Sequence, residues 1–208
     1  MPRILVNNVE LPEEIARPRW GDTLDRLDRR CAVNGQVLTA VRFDGVERPS
    51  FRDRARAFDA LDDVQVIDVE AASPQELLSA TVDEAMTAAQ TLALAAARVG
   101  AAFRGIDIRG ASRELMELAR SLGTLVAIAQ ALSQASAIGL DAVDGPVESG
   151  AAMVDRLTRH ADTLIAAQQR EDWVAVADVV EYDLAPALRD WPALFEALHA
   201  TIPATPAA

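Results

Sequence analysis

Lysine is absent from the 208-residue chain; all 20 basic residues are arginine. That excludes Schiff-base chemistry and a phosphate-binding loop of the lysine type. Cys31 is the only cysteine, so no intrachain disulfide can form. Aromatic residues make up 4% of a chain that is 50% hydrophobic, and the apolar mass is mostly Ala, Leu and Val. Such a composition suits closely packed helices better than a β-sandwich. Positive charge is also scarce, with 20 Arg against 32 acids and a net charge of −12. A surface this acidic argues against nucleic acid and anionic membranes, whose phosphates demand Arg and Lys. The apolar run over residues 4–6 is cut at once by Asn7-Asn8, so no signal peptide is expected. Residues 121–140 carry no charge, but they include Gly, Thr, Gln and Ser; a buried helix of a bundle is expected there, not a membrane span. The protein is expected to be soluble and cytoplasmic.

What the chain does have is one long helical stretch, residues 73–103. Ser73 suits a helix N-cap, Pro74 the first helical position, and Glu76 completes a capping box. Behind them Leu78, Val82, Ala85, Ala89, Leu92, Ala96, Val99 and Phe103 recur at alternating steps of four and three, which is a heptad seam. No charge occurs over 85–97, so this helix is expected to be covered on more than one side.

The first 72 residues read as a small mixed domain. Ile4-Leu5-Val6 and Val9-Glu10-Leu11 flank an Asn-Asn hairpin turn. Leu24, Leu27 and Cys31 mark a helix over 22–33, stopped by Asn34-Gly35. A strand over 36–43, with Leu38, Ala40 and Phe43 expected to share a face, turns at Asp44-Gly45 into Val46-Glu47-Arg48. Ser50 is placed to cap a short helix over 51–61, and 63–69 forms the last strand. This order resembles the β-grasp (ubiquitin-like) fold, including the small sulfur-carrier proteins. Sulfur carriers end in an activated Gly-Gly. The stretch here ends Val69-Glu70-Ala71-Ala72, so the resemblance implies a scaffold or docking module without that activity.

Four helices are expected afterwards: 73–103; a second capped by Ser112 with Leu115, Leu118, Leu122, Leu125, Ala129 and Leu132 inward; a third over 146–169 with Val147, Val154, Leu157, Ala161 and Leu164 inward; and a fourth capped by Asp172. Pro186 should kink or break the fourth near 182–184. Short loops favour an antiparallel up-down bundle. The run Ala72-Ser73-Pro74-Gln75-Glu76-Leu77, the Arg104-Gly105-Ile106-Asp107-Ile108 connection, the loop at Gly139-Leu140-Asp141 and the run from Thr163 to Asp172 together resemble the flagellar export chaperones. So do Val176 to Val180 and Leu188-Arg189-Asp190-Trp191; the resemblance spans roughly residues 72–200. It implies a bundle that holds a helical or extended segment of a partner in an apolar groove.

The expected fold is therefore α+β: a β-grasp-like domain over 1–72, an antiparallel four-helix bundle over 73–200 and a loose tail over 201–208. The expected function is non-enzymatic, an adaptor or chaperone-like protein that binds a helical segment of a protein partner, with flagellar export as its setting. A homodimeric scaffold is the alternative, and a metal-using bundle enzyme comes last. Leu94, Met116, Val126, Val176 and Val179 lie off the main seams and are the candidates for lining a partner groove. Glu114 with Glu117 and Asp178 with Glu181 form i, i+3 acid pairs, and His160 sits on a third helix, but these acids fall on polar faces. No cofactor or metal is expected, and no histidine has a nucleophile signature beside it. Two arginine runs, Arg26 to Arg30 and Arg52 to Arg56, suit an acidic partner face or plain solvation.

Overall fold

The computed structural model describes residues 2–12 and 15–201. The protein is α+β, with a five-stranded mixed sheet followed by helices. It divides into two compact units, Met1–Leu77 and Leu78–Ala208. The expected tail beyond Thr201 lies outside the described residues.

In the first unit, β1 (Arg3–Val6) and β2 (Val9–Glu10) form the expected hairpin; Asn7 and Asn8 take φ of 49° and 65°, as a type I′ turn requires. Helix α1 (Trp20–Val33) starts two residues earlier than the periodicity indicates and buries Trp20, Thr23, Leu27 and Cys31 at helical spacing. Gly35, at φ 66°, follows its end. Strand β3 (Val37–Phe43) turns through Asp44 and Gly45, at φ 48° and 79°, into β4 (Val46–Glu47). Ala40 does not share the inward face with Leu38. The pairing of β3 slips between Leu38 and Ala40, and this bulge brings Val41 inward in place of Ala40, while Phe43 is buried with Leu38 as expected.

The last strand, β5, spans Val66–Ala72 and not 63–69. Its start is set by Asp44, whose carboxylate accepts from the Gln65 and Val66 amides at 3.0 and 2.8 Å. Its end is prolonged by Asn7, whose side chain accepts from the Ala71 amide at 2.9 Å and donates to the Ala71 carbonyl at 2.8 Å. The sheet order is β2-β1-β5-β3-β4, with β5 parallel to β1 and antiparallel to β3. The helix expected over 51–61 is a 3-10 helix, Arg54–Phe58, capped by Asp53 and not by Ser50. Beyond it, Ala60 bridges to Arg19 and the Leu61 amide donates to the Pro18 carbonyl at 2.9 Å, which pulls the chain out of helix.

Helix α2 (Pro74–Phe103) opens with the capping box: the Ser73 amide donates to Glu76 Oε2 at 2.7 Å, and the Glu76 amide to Ser73 Oγ at 3.1 Å. Seven of its side chains and Gly100 are buried, six of them on the expected seam, including Val82, Ala89 and Phe103. Only four residues separate it from α3 (Ile108–Ser136). Asp107, not Ser112, caps α3; Ser112 lies one turn into the helix and donates to the Ile108 carbonyl at 2.8 Å.

Helix α4 (Gly150–Gln169) is capped by Ser149, later than expected. The preceding residues close a turn through an Asp144–Ser149 bridge, which buries Val143 and leaves Val147 exposed. Ala161 is exposed as well. The expected fourth helix is divided. Helix α5 (Trp173–Asp178), capped by Asp172, passes into a π-helical turn over Val179–Leu184, then α6 (Ala185–Arg189) and α7 (Trp191–Thr201). Pro186 and Pro192 lack the amide that would reach back one turn, so the widened turn and the break at Asp190 fall ahead of them. Trp191, Leu194, Phe195 and Leu198 fill the core of this unit.

Candidate functional site

The two uncharged stretches of the sequence face each other. Helices α2 and α3 run side by side in opposite directions, and a cavity of about 640 Å³ lies between Thr87, Ala88, Thr91 and Leu92 on α2 and Ser121, Thr124 and Ile128 on α3. It continues toward the α2–α3 connection, past Ala95 and Leu118 to Arg98, Glu114 and Glu117. From Asp83 to Arg98 the groove follows 16 residues of α2, about 22 Å at helical rise.

Local structure sets the character of this groove. Thr87 and Thr91 donate their hydroxyls to the carbonyls of Asp83 and Thr87, both at 2.9 Å, and Thr124 donates to Arg120 at 3.3 Å. Each hydroxyl is thereby satisfied within its own helix, so the groove asks for no polar partner along its middle. The small side chains let another backbone approach closely. Charge gathers only at the ends, with Asp83 and Glu84 at one and Glu114, Glu117 and Arg98 at the other.

The five sequence candidates are not brought together. Leu94 is 73% exposed, on a different groove that α2 shares with α7 beside Met86, Pro192 and Ala193. Met116 is 59% exposed on α3 but does not line the α2–α3 groove. Val126 is half-buried against the core. Val176 and Val179 are buried and offer no surface to a partner: Ala177 and Val180 beside them are buried too, so this segment is covered on more than one side. The groove residues Thr87, Ala88, Thr91, Ser121 and Thr124 escape a search for off-seam large apolar side chains. Their signal is the lack of charge in two runs that the hairpin pairs. Helix α2 meets α3 on one side and α7 on another, with Ala93 buried off the seam, and it keeps one exposed face at Thr87, Thr91 and Leu94.

Several of the titratable groups singled out from the sequence have structural partners. Asp178 and Glu181 both grip Arg104, whose guanidinium also lies 5.4 Å from the Tyr182 ring centroid. Glu117 pairs with Arg120 on its own helix. Helix α7 carries a Glu-x-x-His pair, Glu196 and His199, but His199 Nε2 bonds Ser79 Oγ at 2.9 Å. Among the described residues no three His, Cys, Asp or Glu side chains converge on a point. Cys31 is buried, and burial first, then the nearby Asp28 carboxylate, pushes its thiol pKa up, away from the reactive thiolate.

Among the described residues α3 is the one helix long and apolar enough to cross a membrane, with 28% of its apolar window buried. No protein-family model, no curated protein and no solved structure matches the chain.

Proposed function

We propose that this protein is a non-enzymatic adaptor of the cytoplasm that holds a helical segment of a partner protein in the groove between α2 and α3. The observation that carries this reading is the pairing of two uncharged helix faces into one open groove with acidic ends. A core helix would have its small apolar face covered by the chain itself, whereas here Thr87, Thr91 and Thr124 remain exposed. The partner segment is about four turns long. It carries Ala, Leu or Val along one stripe and Arg or Lys at its ends, to meet Asp83 and Glu84 on one side and Glu114 and Glu117 on the other.

The finer architectural reading belongs to the same proposal. The order β2-β1-β5-β3-β4 around one helix supports a β-grasp-like first unit, and four helical stretches with short connections support a bundle for the second. The flagellar export chaperones remain the model for the mode of binding, a partner helix laid along a bundle.

Calorimetric titration of the full chain tests the reading. The probes are the C-terminal helical segment of flagellin and a synthetic amphipathic helix with an Ala/Leu stripe and Lys ends. Saturable binding at micromolar levels, about −8 kcal/mol, that weakens with salt is expected for at least one. Thr91→Arg should abolish it, and Met116→Ser, outside the groove, should leave it intact. If neither helix binds and the chain sediments as a dimer that Thr91→Arg dissociates, the groove is filled by a second copy and the adaptor reading falls.

A further inference from the structure

A second cavity lies within the first unit, independent of the groove. It measures about 100 Å³ and is lined by Trp20, Phe43, Arg48, Phe51 and Arg56, with Glu47 and Asp59 also at its wall. Three aromatic rings build its floor. Trp20 meets Phe43 edge to face at 5.1 Å, and its indole N–H donates to the Phe51 carbonyl at 2.7 Å, which fixes the ring. Arg48 is held over this floor: its amide donates to the Val41 carbonyl at 2.8 Å and its guanidinium lies 5.2 Å from the Phe43 ring centroid.

The Nε–H of Arg48 is shielded from solvent and has no hydrogen-bond partner. Among the described residues no carboxylate forms an ion pair with Arg48, although Glu47 and Asp59 share the cavity wall. Arg56 contributes a second guanidinium, engaged with Asp59 at the long distance of 3.6 Å. A buried charged donor without an acceptor is unfavourable, and a guanidinium is shaped to take a carboxylate in two parallel bonds. Elsewhere in this unit arginine does that: Arg52 holds Asp28 through two bonds of 2.9 Å.

The geometry points to a receptor for a single carboxylate on a short hydrocarbon stem, with Arg48 and Arg56 taking the oxygens and Trp20, Phe43 and Phe51 taking the stem. The volume fits a group of four or five heavy atoms, the size of a glutamate side chain or a chain terminus. Two acids at the wall disfavour a doubly charged group, so phosphate is the poorer ligand.

The test uses the ¹⁵N-labelled full chain and reads the Arg48 Nε–H and Trp20 indole N–H signals. The probes are sodium propionate and inorganic phosphate, at constant ionic strength. Propionate should shift both signals saturably, with half-saturation on the order of millimolar, and phosphate should do so more weakly. Glu47→Gln, at an exposed position, should tighten propionate binding several-fold. In Arg48→Ala the Trp20 signal should stay in its folded place and no longer respond. The assignment is overturned if Arg48 moves no more than the exposed Arg54, which is general screening. It is equally overturned if phosphate binds better than propionate.

Discussion

The α5–α7 side of the helical unit is filled with large side chains, whereas the α2–α3 groove is lined with Thr, Ala and Ser. Trp191, Leu194, Phe195 and Leu198 are fully buried on the first side. On the second, Thr87, Thr91 and Thr124 stay exposed along an uncharged surface. The α5–α7 segment is the more charged of the two, with Asp178, Glu181, Asp183, Arg189, Asp190 and Glu196, so an uncharged stretch does not by itself mark the closed face. The difference lies in side-chain volume: large residues close a face against the chain's own elements, and small ones leave a channel of backbone width. Two glycines of the long helices mark a closed and an open position, Gly123 lying outside the groove. A Cβ on Gly100 would lie 2.8 Å from Glu181 Cβ and 3.0 Å from the Ala177 carbonyl, while a Cβ on Gly123 of α3 would meet nothing within 4 Å.

Truncation at the sealed side should have the largest effect. Trp191→Ala removes a fully buried side chain and should cost about 3–5 kcal/mol in chemical denaturation. A smaller loss would mean that this side is loosely packed and the contrast is false. Thr91→Arg comes next, with stability within about 0.5 kcal/mol of the parent and partner-helix affinity down roughly 100-fold, about 2.7 kcal/mol. Should it unfold the protein instead, Thr91 belongs to a core. The glycine pair follows. Gly100→Ala should destabilise by about 1–3 kcal/mol, and Gly123→Ala should stabilise by about 0.5–1 kcal/mol, the helix-propensity gain without a clash. A destabilising Gly123→Ala would reveal a neighbour at the open face.

The smallest effect concerns the start of α2. The bond from the Ser73 amide, then that with the Ser73 side chain, holds the Glu76 carboxyl below the usual glutamate range. A lowered folded pKa means that the stabilisation is complete above the ordinary value of about 4.3 and is lost as pH falls through the lowered one. The ¹³Cα shifts of residues 74–77 should therefore lose helical character as pH falls below the ordinary glutamate range and through the lowered pKa, and in Glu76→Gln they should not titrate. A pH-independent first turn in the parent would show that the capping box is absent in solution.

Much of this arrangement was legible beforehand. Asn7-Asn8 and Asp44-Gly45 announced their hairpins because few residues tolerate positive φ. Leu115, Leu118, Leu125 and Leu132 announced the buried stripe of α3. Val176 and Val179 lie off the seam yet are buried, because Ala177 and Val180 beside them are buried too and this segment is covered on more than one side, which a single-seam count does not foresee. The groove was missed because each wall looks like an ordinary Ala- and Thr-rich helix. Arg48 gave no sign at all, since its burial arises from Phe43, brought alongside by the β3–β4 turn, and from Trp20 on α1.

The sequence by itself determined the two hairpin turns, the capping box of α2, the Asp172 cap and the apolar seams of α2 and α3. These depend on local geometry and on spacing along one chain. The tertiary structure decided which uncharged faces become core and which become groove, where β5 begins and ends, and which arginine lacks an acid. Those outcomes depend on what a distant segment places opposite a side chain, and no spacing rule encodes that.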